Sequence, residues 1–203
     1  MNEGRIHLYL GDGKGKTTAA TGLAARAVGC GRRVVFAQFL KGSRTGEVSS
    51  LEALGVKVVR SEIDFGFCWE MDGGQRETCH AEQERLFGEA RRAVMDDVTD
   101  NAGEIRENIF GASSDKPPNT CSRAERPADL LVLDEALDVV DVGMLDEETL
   151  KGFVMDKPEG LELVLTGRTA PGWLMEEACY ITEMKKIKHP YDLGVKARKG
   201  IEY

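Results

Sequence analysis

The chain has 203 residues, of which 41% are hydrophobic and 31% charged, the balance of a soluble globular protein long enough for one well-buried domain. A formal net charge of −8 argues against a general nucleic-acid binder, which normally presents a basic face. No apolar run reaches membrane-spanning length and Met1-Asn2-Glu3-Gly4 does not read as a secretory signal, so neither nucleic acid nor membrane is an expected partner. The cysteines (Cys30, Cys68, Cys79, Cys121, Cys179) are odd in number, scattered and without a C-x-x-C pair, which fits reduced thiols in the cytoplasm and no zinc site.

In chain order, Ile6–Leu10 reads as a first strand, apolar enough for the middle of a parallel sheet. It breaks into Gly11-Asp12-Gly13-Lys14-Gly15-Lys16-Thr17-Thr18, and an alanine-rich helix then runs from Thr17 to Val28. Strand, glycine-rich turn and helix in that order are what a phosphate-cradling P-loop requires. The glycines let backbone N–H groups close on a phosphate, Lys16 supplies a mobile positive charge, and the Thr17 hydroxyl is a ligand for Mg²⁺. The loop is one residue shorter than the usual pattern, with Leu10 where the first glycine would stand.

Val34–Phe39 is a second buried strand, ending in the polar segment Lys41–Glu47 at its carboxyl end, where open α/β sheets bind ligands. A short helix over Glu47–Leu54, a strand at Val56–Val59 and a long helix over Gln75–Asp97 follow, the last with Leu86, Ala90, Ala93 and Val94 inward. Cys79 and His80 on this helix point apart and count as packing or surface rather than metal ligands. Between them and the third strand, Phe65, Phe67 and Trp69 crowd a glycine-bearing loop, either as a core anchor or as a flat apolar wall for a large planar ligand. From Val98 to Ala128 the pattern dissolves into an irregular excursion, with at most a short helix at Gly103–Phe110.

Leu130–Leu133 runs straight into Asp134-Glu135, the acidic strand end that partners a P-loop by holding Mg²⁺ directly or through water. Helices are predicted at Ala136–Val142 and Asp146–Met155, a strand at Leu161–Thr166, a helix at Pro171–Ala178 and a last strand at Tyr180–Met184. Arg168, just past a strand end, is suited to pinning a polyphosphate oxygen. The tail from Lys185 to Tyr203 is basic, and the turn chemistry around His189-Pro190-Tyr191 reads as ordered. The sum is a single α/β domain over residues 1–203, doubly wound on a mostly parallel sheet, with the excursion at about 98–128.

Several blocks, in one order, resemble the P-loop type of ATP:corrinoid adenosyltransferase, whose fold is P-loop NTPase-like (RecA-like). They are Gly11–Thr18, Gln38-Phe39-Leu40-Lys41-Gly42, Gly66-Phe67-Cys68-Trp69-Glu70, Val132-Leu133-Asp134-Glu135, Thr166-Gly167-Arg168 and Lys188–Tyr203. The resemblance implies transfer of the 5′-deoxyadenosyl group of ATP to a Co(I) corrinoid with release of triphosphate, in adenosylcobalamin biosynthesis or salvage. It adds Gln38 and Lys41 to the ATP-binding residues Gly11–Thr18, and gives Mg²⁺ (or Mn²⁺) to Thr17, Asp134 and Glu135. It makes Lys16 and Arg168 stabilisers of the leaving triphosphate, held reversed relative to ordinary P-loop enzymes, and sets Phe67 and Trp69 against the lower corrin face. A flavoprotein reductant and a homodimer are implied as well. The chain departs from the family in opening almost at its first strand and in a longer Val98–Ala128 stretch. A phosphotransferase or ATPase on the same scaffold would release ADP instead, and a non-catalytic corrinoid- or nucleotide-binding protein would release nothing.

Overall fold

The computed structural model describes residues 3–43, 45–66, 70–95 and 127–202. Six strands form one sheet: β1 (Ile6–Leu10), β2 (Val34–Gln38), β3 (Lys57–Arg60), β4 (Leu130–Asp134), β5 (Glu162–Thr166) and β6 (Tyr180–Glu183). Their order is β3-β2-β4-β5-β1-β6, and every described pairing is parallel. The helices between them are α1 (Lys16–Gly29), α2 (Gly46–Ala53), α3 (Gly73–Met95), α4 (Ala136–Asp141), α5 (Glu147–Met155) and α6 (Gly172–Glu177). A short 3-10 turn at Pro190–Leu193 lies in the tail. The short helix expected at Gly103–Phe110 falls outside the described residues.

Successive residues of a strand point to opposite faces, and the two sides of this sheet carry separate cores. Val34, Phe36, Leu130, Val132 and Val164 face α1 and α2, packing with Ala20, Ala24, Ala27 and Leu51. Val35, Ala37, Leu131, Leu133, Leu163 and Leu165 face the other way, onto α3, α4, α5 and α6 through Leu86, Ala90, Leu137, Leu150, Phe153 and Leu174. Helices on both faces explain why β2 and β4 are buried at every position and read as continuous apolar runs. The alanines of α1 carry almost no side chain, so that helix lies close against the sheet. Cys79 is buried in α3, as expected for packing.

The order brings the functional segments together. β1 lies between β5 and β6, separated from β4 by β5 alone, so the loops after β1, β4 and β5 meet at one end of the sheet. Open parallel sheets bind ligands beyond these carboxyl ends.

Candidate active site

The loop between β1 and α1 is built by its neighbours. The Gly11 N–H donates to the Arg168 carbonyl (3.0 Å) and the Gly13 N–H to the Met184 carbonyl (2.6 Å), tying the loop to the ends of β5 and β6. A Cβ at Gly11 or Gly13 would fall 2.5 or 2.4 Å from that Met184 oxygen, so both positions exclude a side chain. Asp12 accepts the Lys186 backbone N–H (2.9 Å), which holds its carboxyl below the usual carboxylate range. Lys14 reaches the tail, donating to the Ile201 carbonyl at 3.0 Å and to Glu202.

Helix α1 begins on Gly15, whose φ of +120° suits glycine, and has neither a side-chain cap nor an acidic residue in its first turn. The opening N–H groups of a helix have no intrahelical acceptor, so this end, with Thr17 and Thr18 in its first turn, offers donors and a positive dipole to an anion. Lys16 lies over the loop, its ammonium donating to the carbonyls of Gly11 (2.6 Å) and Gly13 (3.1 Å).

A second cluster sits at the ends of β2, β4 and β5. Asp134 is fully buried; one carboxylate oxygen accepts the Thr166 hydroxyl (2.9 Å) and the other faces Lys41 (3.3 Å) and Gln38 (3.5 Å). Lys41 also pairs with Glu135 at 3.0 Å, and Gln38 Nε2 donates to Glu47 at 3.0 Å. Burial alone would lower the Lys41 pKa, but the charges of Asp134, Glu135 and Glu47 outweigh it and hold the ammonium above the ordinary lysine value. Burial, helped by Asp134, raises the Glu135 carboxyl despite Lys41. One ammonium does not neutralise two adjacent buried acids.

The backbone here is bent. Leu40 (φ +55°) and Glu135 (φ +63°), each just past a strand, take the left-handed conformation that side chains disfavour. The Leu40 N–H is satisfied by buried Gln83 (3.2 Å) and the Glu135 N–H by the Thr166 hydroxyl (2.8 Å).

Thr166-Gly167-Arg168 joins the two halves: Thr166 orders Asp134 and Glu135, and two residues later the Arg168 carbonyl receives Gly11. Gly167 passes so close to α4 that a Cβ would meet Leu137 Cβ at 2.5 Å. The Arg168 N–H donates to Asp138 (3.0 Å), whose carboxyl is raised by burial against the charges of Arg168 and Lys16. Both cations therefore act on one point beside the loop, with the Arg168 side chain exposed.

Gly11–Thr18 and Arg168 thus form one group, and Gln38, Lys41, Asp134 and Glu135 a second, linked through β5. Phe67 and Trp69 lie outside the described residues. Sequence reasoning placed Thr166 in a family block and Glu47 in a ligand-side loop without giving either a role, and missed Asp138 and Gln83. A threonine closing the apolar run Leu163-Val164-Leu165 was the available signal for the first; the others are ordinary polar residues on helices until the fold brings them in. Asp134 and Glu135 offer hard oxygen donors, and an ammonium already stands among them, so the cluster fits a divalent cation. Among the described residues no group of three or more His, Cys, Asp or Glu is placed to hold a metal ion.

An all-parallel sheet with helices on both faces, a glycine-rich loop capping α1 and an acidic pair on a nearby strand define a P-loop NTPase-like α/β protein. Comparison with known proteins narrows this: residues 2–203 match the family described as ATP:corrinoid adenosyltransferase BtuR/CobO/CobP. The chain is 31% identical to the corrinoid adenosyltransferase of Escherichia coli K12 over 201 residues, covering 98% of this chain and 86% of that one. It is 31% identical to corrinoid adenosyltransferase CobA of Salmonella typhimurium, with 98% and 86% covered. Against the Pseudomonas aeruginosa corrinoid adenosyltransferase it is 29% identical, with 98% and 84% covered. The chain belongs to the ATP:corrinoid adenosyltransferase family, enzymes of cobalamin synthesis that use ATP and a corrinoid.

Proposed function

We propose that the P-loop of this enzyme holds the triphosphate of ATP as a leaving group while C5′ of the ribose is presented to a Co(I) corrinoid. The cobalt lone pair forms the Co–C5′ bond, the C5′–O bond breaks with its electron pair going to triphosphate, and cobalt ends formally as Co(III). The nucleophile belongs to the substrate, so no protein base is required. The residues' task is to neutralise the charge that builds on three phosphates.

The observation that supports this reading is the bond between the Gly11 N–H and the Arg168 carbonyl, which ties the Arg168 backbone to the loop that Lys16 covers, with the charges of both residues acting on Asp138. Preorganised cations and N–H donors aimed at developing charge are worth the most when they need not move. Lys16 and Arg168 serve the departing triphosphate, and Gly11–Thr18 cradle it. The Thr17 hydroxyl, Asp134 and Glu135 are the residues that would hold Mg²⁺ (or Mn²⁺), which when bound supplies Lewis-acid stabilisation of the phosphate oxygens. Gln38 Nε2 donates to Asp134 and to Glu47 and so helps to orient Asp134.

Phe67 and Trp69 carry the lower-face role by family resemblance: an apolar wall that displaces the axial ligand of Co(II) and eases its reduction by a flavoprotein. Assembly as a homodimer in the cytoplasm completes the proposal, and no helix among the described residues is long and apolar enough to cross a membrane. Mixing the protein anaerobically with Mg-ATP and chemically reduced cobalamin tests the reaction. A light-sensitive adenosylated corrinoid with equimolar triphosphate is expected; ADP without a cobalt–carbon bond would point to phosphoryl transfer.

A further inference from the structure

The segment after β2 carries a cation into a pocket of acids. The Lys41 ammonium lies 3.0 Å from Glu135 Oε1, 3.3 Å from Asp134 Oδ2 and 4.0 Å from Glu47 Oε1, with its side chain 23% exposed. Two of the three carboxylates, Asp134 and Glu47, are held by a donor other than Lys41, and Glu135 is held through its backbone. Thr166 takes the other oxygen of Asp134, Gln38 donates to Glu47, and the backbone of Glu135 is fixed on Thr166. Asp134 and Glu47 therefore keep their orientation without Lys41, while the Glu135 carboxylate meets the Lys41 ammonium at 3.0 Å.

The segment bearing Lys41 is fixed too. Leu40 is in the left-handed conformation with its N–H on Gln83, and the Gly42 carbonyl accepts Arg60 Nη2 at 2.7 Å. A Cβ at Gly42 would fall 2.1 Å from the Asp64 backbone, so the chain passes there with no room to shift. Backbone on both sides of Lys41 is pinned, so movement of the ammonium out of the acids has to come from rotation of its four-carbon stem.

We infer that Lys41 is the resident counter-ion of the divalent-cation site. It offsets part of the charge of Asp134 and Glu135 before the metal arrives, and it leaves when the metal binds, because the two positive centres repel each other at the same carboxylate oxygens. Metal loading then releases an ammonium at the edge of the site, so that arrival of the cation adds one more positive charge to the surroundings of the triphosphate. Lys41 acts through Asp134 and Glu135 and is a positioning residue. The inference rests on the assignment of those two acids to the metal.

Titrating Mn²⁺ into nucleotide-free wild type, Lys41→Met and Lys41→Arg, with free Mn²⁺ read by electron paramagnetic resonance, tests it. Lys41→Met should bind Mn²⁺ about 5- to 150-fold more tightly than wild type, the usual span for coupled sites, and Lys41→Arg, which keeps a competing cation, should stay near wild type. Mn²⁺ should also raise the Tm of Lys41→Met more than that of wild type. A folded Lys41→Met with unchanged or weaker Mn²⁺ binding would overturn the inference. If that variant does not fold, acetylation of Lys41 in wild type, followed by mass spectrometry, decides: Mn²⁺ should speed it, and no change or protection would be the contrary result. Asp134→Asn separates the two levels, since Mn²⁺ binding that survives it would refute the metal assignment itself.

Discussion

At Lys16 the loop carbonyls of Gly11 and Gly13 hold an ammonium directly over the glycine-rich turn proposed to cradle the triphosphate. A charge fixed before the reaction stabilises a triphosphate leaving group without reorganisation, and removing one such group costs roughly 10²- to 10³-fold in rate. Lys16→Ala should therefore lose about that much in kcat with an unchanged circular-dichroism spectrum, measured with chemically reduced corrinoid. A different residue reports on stability alone. At the opposite end of the sheet Glu162 is opposed by burial, yet the His7 ring (2.5 Å), the Arg5 N–H (3.1 Å) and nearby positive charge hold its carboxyl below the ordinary glutamate value. A carboxylate with a depressed folded pKa stabilises above its unfolded value near ~4.3 and loses that contribution as pH falls through the folded one. Glu162→Gln should cost about 1 kcal/mol at neutral pH and flatten the acid limb of the stability profile, as followed by urea unfolding between pH 7 and pH 3.

At the scale of elements, the glycines divide by what surrounds them. Gly13 faces the Met184 carbonyl at the end of β6, whereas exposed Gly22, within α1, has nothing within 4 Å of an added Cβ. Gly13→Ala must push the P-loop off β6, costing about 1–3 kcal/mol by overpacking and weakening ATP binding. Gly22→Ala should instead gain about 0.5–1 kcal/mol from helix propensity with ATP affinity unchanged. Thermal denaturation and isothermal titration of both variants check the contrast, and an equal effect of the two would contradict the packing described here. The same distinction shows what the sequence could reveal. Strand, glycine-rich turn and alanine-rich helix are local patterns, so β1, the P-loop and α1 are legible within a residue or two. That Gly11 and Gly13 answer to Arg168 and Met184 depends on strand order, which no local pattern carries.

Across the whole molecule, unbroken burial along β2 and β4 made the α/β class legible, because two-faced burial leaves continuous apolar runs. The site was half legible. Lys16 and the Asp134-Glu135 pair announce themselves by chemistry at strand ends, and their blocks resemble one family in order. Thr166 and Asp138 did not, since a threonine or an aspartate means little until β5 is known to lie between β1 and β4. That placement also links the two halves of the proposed site: Thr166 orders Asp134 and Glu135, and the Arg168 carbonyl two residues later receives the P-loop. The central claim is that the bond broken is C5′–O, with the whole triphosphate leaving. ATP carrying ¹⁸O at the 5′ ester oxygen tests it directly, by mass spectrometry of the phosphate products after one anaerobic turnover with a Co(I) corrinoid. The account predicts all of the label in triphosphate and none in the adenosylated corrinoid. Label recovered in ADP, with its ester bond intact, would contradict it.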